Sequence, residues 1–120
     1  MSAEVTPVID AFMRETRVAV ISTVDGRGHP RSAPVWFLWD GTAPVLFTSR
    51  TSLKWRNLEA QPYASLCVDE RDESYESVII DGRVEEVADR DLFDDVLAMS
   101  LAYWGEERGR AFAEGYRGER

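Results

Sequence analysis

Residues 47–58 read Phe47-Thr48-Ser49-Arg50-Thr51-Ser52-Leu53-Lys54-Trp55-Arg56-Asn57-Leu58. The apolar run Val45-Leu46-Phe47 reads as a strand, and it stops in a hydroxyl-rich corner made by Thr48, Ser49, Thr51 and Ser52. A short helix starts there with Ser52 or Thr51 as its N-cap, because the backbone N–H groups of a first turn need an oxygen partner. The third helical position, where a capping box places Glu or Gln, is Trp55 or Lys54. Arg50, Lys54 and Arg56 therefore crowd a helix end where the macrodipole favours anions, in a chain of net charge -8. Two readings stand open. The corner is a solvated basic turn, or its N–H donors, hydroxyls and lysine converge on a phosphate without any glycine-rich loop.

The rest of the chain bounds the choice. With 120 residues it reads as a single domain, 1–120, with room for a real core. Apolar residues make up 44% and charged residues 30%, the balance of an ordinary globular chain. No run is long enough to span a bilayer, and Met1 to Asp10 has neither the basic start nor the apolar centre of a signal peptide, so a cytoplasmic address with no membrane partner is expected. The lone cysteine, Cys67, allows no internal disulfide and offers no metal-ligand spacing. It lies in the apolar run Ala64 to Val68 and reads as a structural thiol. Asp and Glu total 22 against 14 Lys and Arg, which argues against a nucleic-acid partner, since that would need a basic face. Any bound anion must be held by a local cluster.

Outward from the central stretch, Thr6-Pro7 reads as N-cap and first position of a helix that carries Val8, Ile9, Phe12 and Met13 on one stripe and ends near Thr16. Val18 to Val24 is β-branched and apolar, and Asp25-Gly26-Arg27-Gly28 turns it into a hairpin. The return strand is predicted from Arg31 to Trp39, with Pro34 marking an edge or a bulge. Val35-Trp36-Phe37-Leu38-Trp39 is apolar at every position, so both faces want cover from a helix, a bound ring or a second subunit. After a turn at Asp40-Gly41 and the strand Val45–Phe47, the short helix runs from Ser52 to about Ala60, ahead of Pro62. Tyr63 to Val68 is a strand, Asp69 to Glu73 a charged loop, and Val78 to Val87 a strand with a bulge expected at Gly82. Asp89 is expected to cap a helix carrying Leu92, Phe93, Val96, Leu97, Leu101 and Trp104 on one stripe, and a polar helical segment follows Gly105. Five mainly antiparallel strands with a short helix between the third and fourth predict an α+β, mainly β class: a small, partly closed barrel with flanking helices.

Four segments carry a resemblance. Pro34–Gly41 (PVWFLWDG), the stretch 47–58, Gln61–Asp69 (QPYASLCVD) and the strand through Ile80-Asp81-Gly82-Arg83-Val84 resemble the pyridoxamine 5′-phosphate oxidase-like split β-barrel family, and within it the flavin/deazaflavin oxidoreductases of actinobacterial type. The resemblance implies a homodimer with FMN or the deazaflavin F420 in a groove at the subunit interface. It implies that Thr48, Ser49, Ser52 and Lys54 hold the cofactor phosphate with Arg50 or Arg56 close by, and that Asn57 either joins them or ties down the helix. It places the tricyclic ring against Val35, Trp36 and Phe37, the kind of flat apolar surface such a ring needs. Two departures are visible. The oxidases proper carry a phosphate-gripping arginine on the second strand where register puts Ala33, and many relatives end in an apolar strand that Ala111–Arg120 does not provide.

No catalytic constellation emerges. His29 sits beside a turn, the loop Asp69 to Glu73 reads as a solvated tip, and Tyr75 and Tyr103 read as packing residues. In hydride transfer the ring does the chemistry and the protein holds donor and acceptor in line, so none is needed. The leading expectation is an F420-dependent reductase of a small organic molecule. The alternatives are an FMN-dependent oxidoreductase and a non-catalytic flavin or haem binder. A basic track through Arg14, Arg17 or Arg31 would favour the first.

Overall fold

A computed structural model describes residues 5–70, 76–87 and 91–116. In chain order its elements are α1 (Pro7–Arg14), β1 (Ala19–Val24), β2 (Pro30–Val35), β3 (Leu38–Trp39), β4 (Pro44–Val45), α2 (Leu53–Ala60), β5 (Tyr63–Asp69), β6 (Ser77–Arg83), α3 (Leu92–Trp104) and α4 (Glu106–Glu114). Antiparallel strands with flanking helices are the class expected from the pattern. The elements gather into two compact units.

The first unit holds β1, β2, α2, β5 and β6, with the strands in the order β2-β1-β5-β6. Asp25 makes the β1–β2 hairpin. Its Oδ1 accepts the backbone N–H groups of Arg27 and His29, each at 2.9 Å, and Gly28 supplies the positive φ of 80° that the turn requires. Register puts Ala19, Ile21 and Thr23 on one face with Val35, Ala33 and Arg31 of β2 and with Val68 and Leu66 of β5. Ala19, Ile21, Leu66 and Val68 are buried, so this face is the core side. On the opposite face Val20 is 41% exposed and Ile79 62%. Pro34 sits in the terminal strand, the edge position expected of it.

The second unit holds α1, the β3–β4 hairpin, α3 and α4. Thr6 caps α1 through the N–H of Ile9, and Asp10 accepts both Arg14 one turn on and the indole N–H of Trp39, which pins α1 to the hairpin. Asp91 caps α3, accepting the N–H of Asp94. Buried Val96, Met99 and Ser100 line its inner side, and α4 closes on it through Gly109. A Cβ at Gly109 would stand 2.5 Å from the Ser100 carbonyl oxygen, so only glycine permits this approach.

Several expectations are corrected. The strand predicted from Arg31 to Trp39 is two strands, broken at Trp36 and Phe37, and the strand through Phe47 stops at Val45. The strand reaching Val87 ends at Arg83, and no bulge occurs at Gly82. That residue pairs with Ala64 in an unbroken ladder, and the change of apolar phase arises because Val84 lies beyond the strand. Met99, outside the predicted stripe of α3, is fully buried, whereas Val8 of the predicted α1 stripe is 76% exposed. The cap of α3 is Asp91; Asp89, Tyr75 and Arg71 to Glu73 lie outside the described residues. Among the described residues no helix is long and apolar enough to cross a membrane.

Candidate functional site

Helix α2 begins as its sequence dictates. Ser52 Oγ accepts the N–H of Trp55 at 3.1 Å, and no acidic residue occupies the first turn. The preceding corner ties itself together: Thr48 and Ser52 share a hydroxyl hydrogen bond of 2.9 Å, Ser49 and Thr51 one of 2.8 Å, and the N–H of Ser52 donates to the Ser49 carbonyl. These bonds set the entry angle of the chain and present Ser52 toward the sheet. Asn57, one turn on, is buried and donates to the Thr23 hydroxyl at 3.0 Å, fixing α2 against β1.

Where the start of α2 meets the core side of the sheet lies a cavity of about 170 Å³, lined by Thr23, Arg31, Ser32, Ala33, Ser52, Leu53, Lys54 and Asn57. Lys54 is half-buried and makes no ion pair among the described residues. Arg31 reaches the same cavity from β2, two residues before Ala33 and therefore on the same face. Two cations, a capped helix start and a hydroxyl row converge on a space smaller than the roughly 300–1,000 Å³ of pockets that enclose whole small molecules. The polar residues on its wall are Lys54, Arg31, Asn57, Thr23, Ser32 and Ser52.

The site residues expected from the resemblance divide. Ser52, Lys54 and Asn57 line the cavity, with Asn57 serving to tie down the helix. Thr48 acts through Ser52, and Ser49 is exposed and bonded to Thr51. Arg50 does not line the cavity. Its guanidinium lies over the Trp55 ring, 4.7 Å from the centroid, and pairs with Glu86 at 2.9 Å. Val35 closes the core side of β2 and is buried. In the other unit Phe37 is buried, and Trp36 stacks on Tyr103 at 4.8 Å and meets Trp104 edge-on at 4.6 Å. Of the three covers foreseen for the Trp36 side chain, helix residues supply the one seen. Arg14 pairs with Asp10, and Arg17 with Glu15.

Tyr103 is fully engaged. Its hydroxyl donates to the Arg17 carbonyl and accepts the N–H of Phe37 at 3.4 Å. Burial, outweighing both hydrogen bonds, pushes its pKa up, so it stays protonated as a packing residue. Among the described residues no group of His, Cys, Asp and Glu side chains could hold a metal ion.

The family model of pyridoxamine 5′-phosphate oxidase matches residues 5–115. The chain belongs to that family. The family includes oxidoreductases and binds flavins such as FMN. A search of curated proteins finds no match. Among solved structures, an F420 reductase is similar at 22% identity with a TM-score of 0.73, covering 84% of each chain. The heme storage protein of Vibrio cholerae aligns at 23% identity with a TM-score of 0.64 over 98% of this chain and 84% of its own. An FAD-binding protein of Mesorhizobium loti aligns at 23% identity with a TM-score of 0.64 over 84% and 79%. These likenesses establish the fold.

Proposed function

We propose that this member of the pyridoxamine 5′-phosphate oxidase family is an oxidoreductase that anchors F420 by a phosphate group at the start of α2 and passes a hydride to a small organic molecule. The observation that carries the reading is the convergence of Lys54 and Arg31 on one cavity beside Ser52, in a chain whose net charge is -8. Arg31 is already paired with Asp25 at 3.0 Å, so Lys54, which makes no ion pair among the described residues, is the cation left to meet an anion. The structural likeness to an F420 reductase is in keeping with this reading.

A bound deazaflavin or flavin ring supplies two-electron chemistry, and the protein's contribution is placement. In this reading Lys54 donates to a phosphate oxygen, Ser52 and the first-turn N–H groups orient it, and Asn57 keeps α2 at the right height above Thr23. Thr48 and Ser49 shape the corner without touching the ligand. Val35, at the end of the terminal strand β2 and on the same sheet face as the cavity, supports the ring end. We also read the chain as a homodimer, supported by exposed Val20, Tyr63 and Ile79 on the sheet face opposite the cavity.

The second reading is an FMN-dependent oxidoreductase, favoured by one observation: Arg31 supplies a second cation where Ala33 leaves β2 without one, and a terminal phosphate dianion calls for two. Titration of the purified protein with FMN and with F420 under identical conditions separates the readings. Tighter binding of F420 and turnover with unsaturated or quinone-like acceptors support the first. Tighter binding of FMN transfers the conclusion to the second, and cofactor or haem binding without turnover against any acceptor leaves a non-catalytic binder.

A further inference from the structure

We infer that the concavity where β1 and β5 part is a second binding site, one that takes a primary ammonium group carried on a small apolar body. The inference goes beyond the cofactor reading and does not rest on it. Of the residues lining this cavity and the one at α2, Thr23 alone is common to both.

β1 runs on to Val24 and β5 starts at Tyr63, yet the pairing of the two strands stops at Ser22 and Ser65. Past that pair each strand keeps only its other neighbour. Val24 pairs with Pro30 of β2 and Tyr63 with Arg83 of β6, while the N–H of Tyr63 turns back to the Gln61 carbonyl at 2.8 Å. The fork holds a cavity of about 490 Å³, inside the span of roughly 300–1,000 Å³ of small-molecule pockets. Ser22, Ser65 and Asp81 form one row across β1, β5 and β6 on the face opposite the core, since residues paired across antiparallel strands share a face. Val24 and Tyr63 come next on that face, and with Pro30 they give the cavity apolar walls.

Among the described residues Asp81 is the one charged group on the lining, and it has no ion pair. Arg83, on the same face of β6, lies instead over the Tyr63 ring, 5.9 Å from its centroid. The Ser65 hydroxyl has no hydrogen-bond partner among the described residues, and Ser22 Oγ shares one bond with Ser32 Oγ at 3.0 Å, which leaves it a lone pair. The row therefore offers a carboxylate and two hydroxyl oxygens as acceptors. An ammonium group carries three donors and no acceptor, so it satisfies all three. An anion would find no cation on this wall, and a neutral hydroxyl would leave the carboxylate's charge unmatched. A net charge of -8 draws cations to the chain in any case. The Tyr63 ring, 59% exposed, and the Val24 and Pro30 side chains receive the apolar body.

The test is an amide-resolved NMR titration of the full chain at neutral pH and one ionic strength, with phenethylamine, phenethyl alcohol and phenylacetate as probes. It is repeated on Asp81→Asn and Ser65→Ala. Expected with phenethylamine is saturable movement of the Ser22, Tyr63 and Ser65 signals. Phenethyl alcohol should bind about three- to tenfold more weakly, the range for an exposed charge pair, and phenylacetate should not saturate. Asp81→Asn lowers the affinity for phenethylamine by the same factor and Ser65→Ala by about twofold or more. Phenethyl alcohol or phenylacetate binding as tightly as phenethylamine overturns the inference. So does phenethylamine binding that Asp81→Asn leaves unchanged, or the absence of saturable movement at the fork.

Discussion

The side-chain nitrogen of Asn57 lies 3.0 Å from the hydroxyl of Thr23, and both residues are buried. The bond joins a helix of weak amphipathic character to the central strand of its sheet, and it does so beside the cavity that both residues line. Asn57→Ala removes the donor and strands a buried hydroxyl, which costs about 1–3 kcal/mol. Urea unfolding measures this. Thr23→Val combined with Asn57→Ala should cost less than the two single changes together, because the partners then leave nothing unpaired. Strict additivity would show that the bond carries no energy of its own.

Gly109→Ala tests the α3–α4 contact. The added methyl would stand 2.5 Å from the Ser100 carbonyl oxygen, a backbone atom that can retreat only if the helix pair separates. A loss of about 1–3 kcal/mol is expected from such overpacking, seen as an earlier thermal transition. Gly115→Ala is the control, since its nearest neighbour is a comfortable 3.5 Å away. Equal behaviour of the two variants would contradict the close approach.

Asp25 sets a pH dependence. The N–H groups of His29 and Arg27, followed by Arg31, hold its carboxyl at about 2, below the ordinary value of 3.8. A depressed folded-state pKa stabilises the fold above the unfolded value, and the contribution disappears as pH falls through the folded one. The difference in melting temperature between wild type and Asp25→Asn should therefore be constant above about pH 5 and shrink from there toward pH 2. A difference that stays flat over that interval would mean the carboxylate is not held as described.

Features governed by neighbours in sequence were legible before any coordinates. Thr6, Ser52 and the Asp25-Gly26 turn act within a few residues, so local chemistry fixed them. The crowding of Arg50, Lys54 and Arg56 at one helix start was legible for the same reason, since three cations there are a local anomaly. What escaped was set by pairing across distance. Arg31 joins the site because the ladder puts it opposite Thr23, and Arg50 leaves it because Glu86, far along the chain, claims its charge. Trp36 finds its cover in Tyr103 and Trp104, which no reading of Val35 to Trp39 alone could choose over a ring or a second subunit. Gly82 mimicked a bulge only because Val84, read as part of the strand, lies beyond its last residue, Arg83.

The central claim is that Lys54 holds the phosphate of a flavin-type cofactor at the start of α2. Its most direct test is the affinity of wild type and Lys54→Ala for FMN and F420, measured by titration at one ionic strength. Loss of a charge-assisted hydrogen bond predicts binding weaker by about 1.5–3 kcal/mol, roughly ten- to a hundredfold, for the cofactor the wild type prefers. Affinity unchanged for both cofactors would contradict the claim.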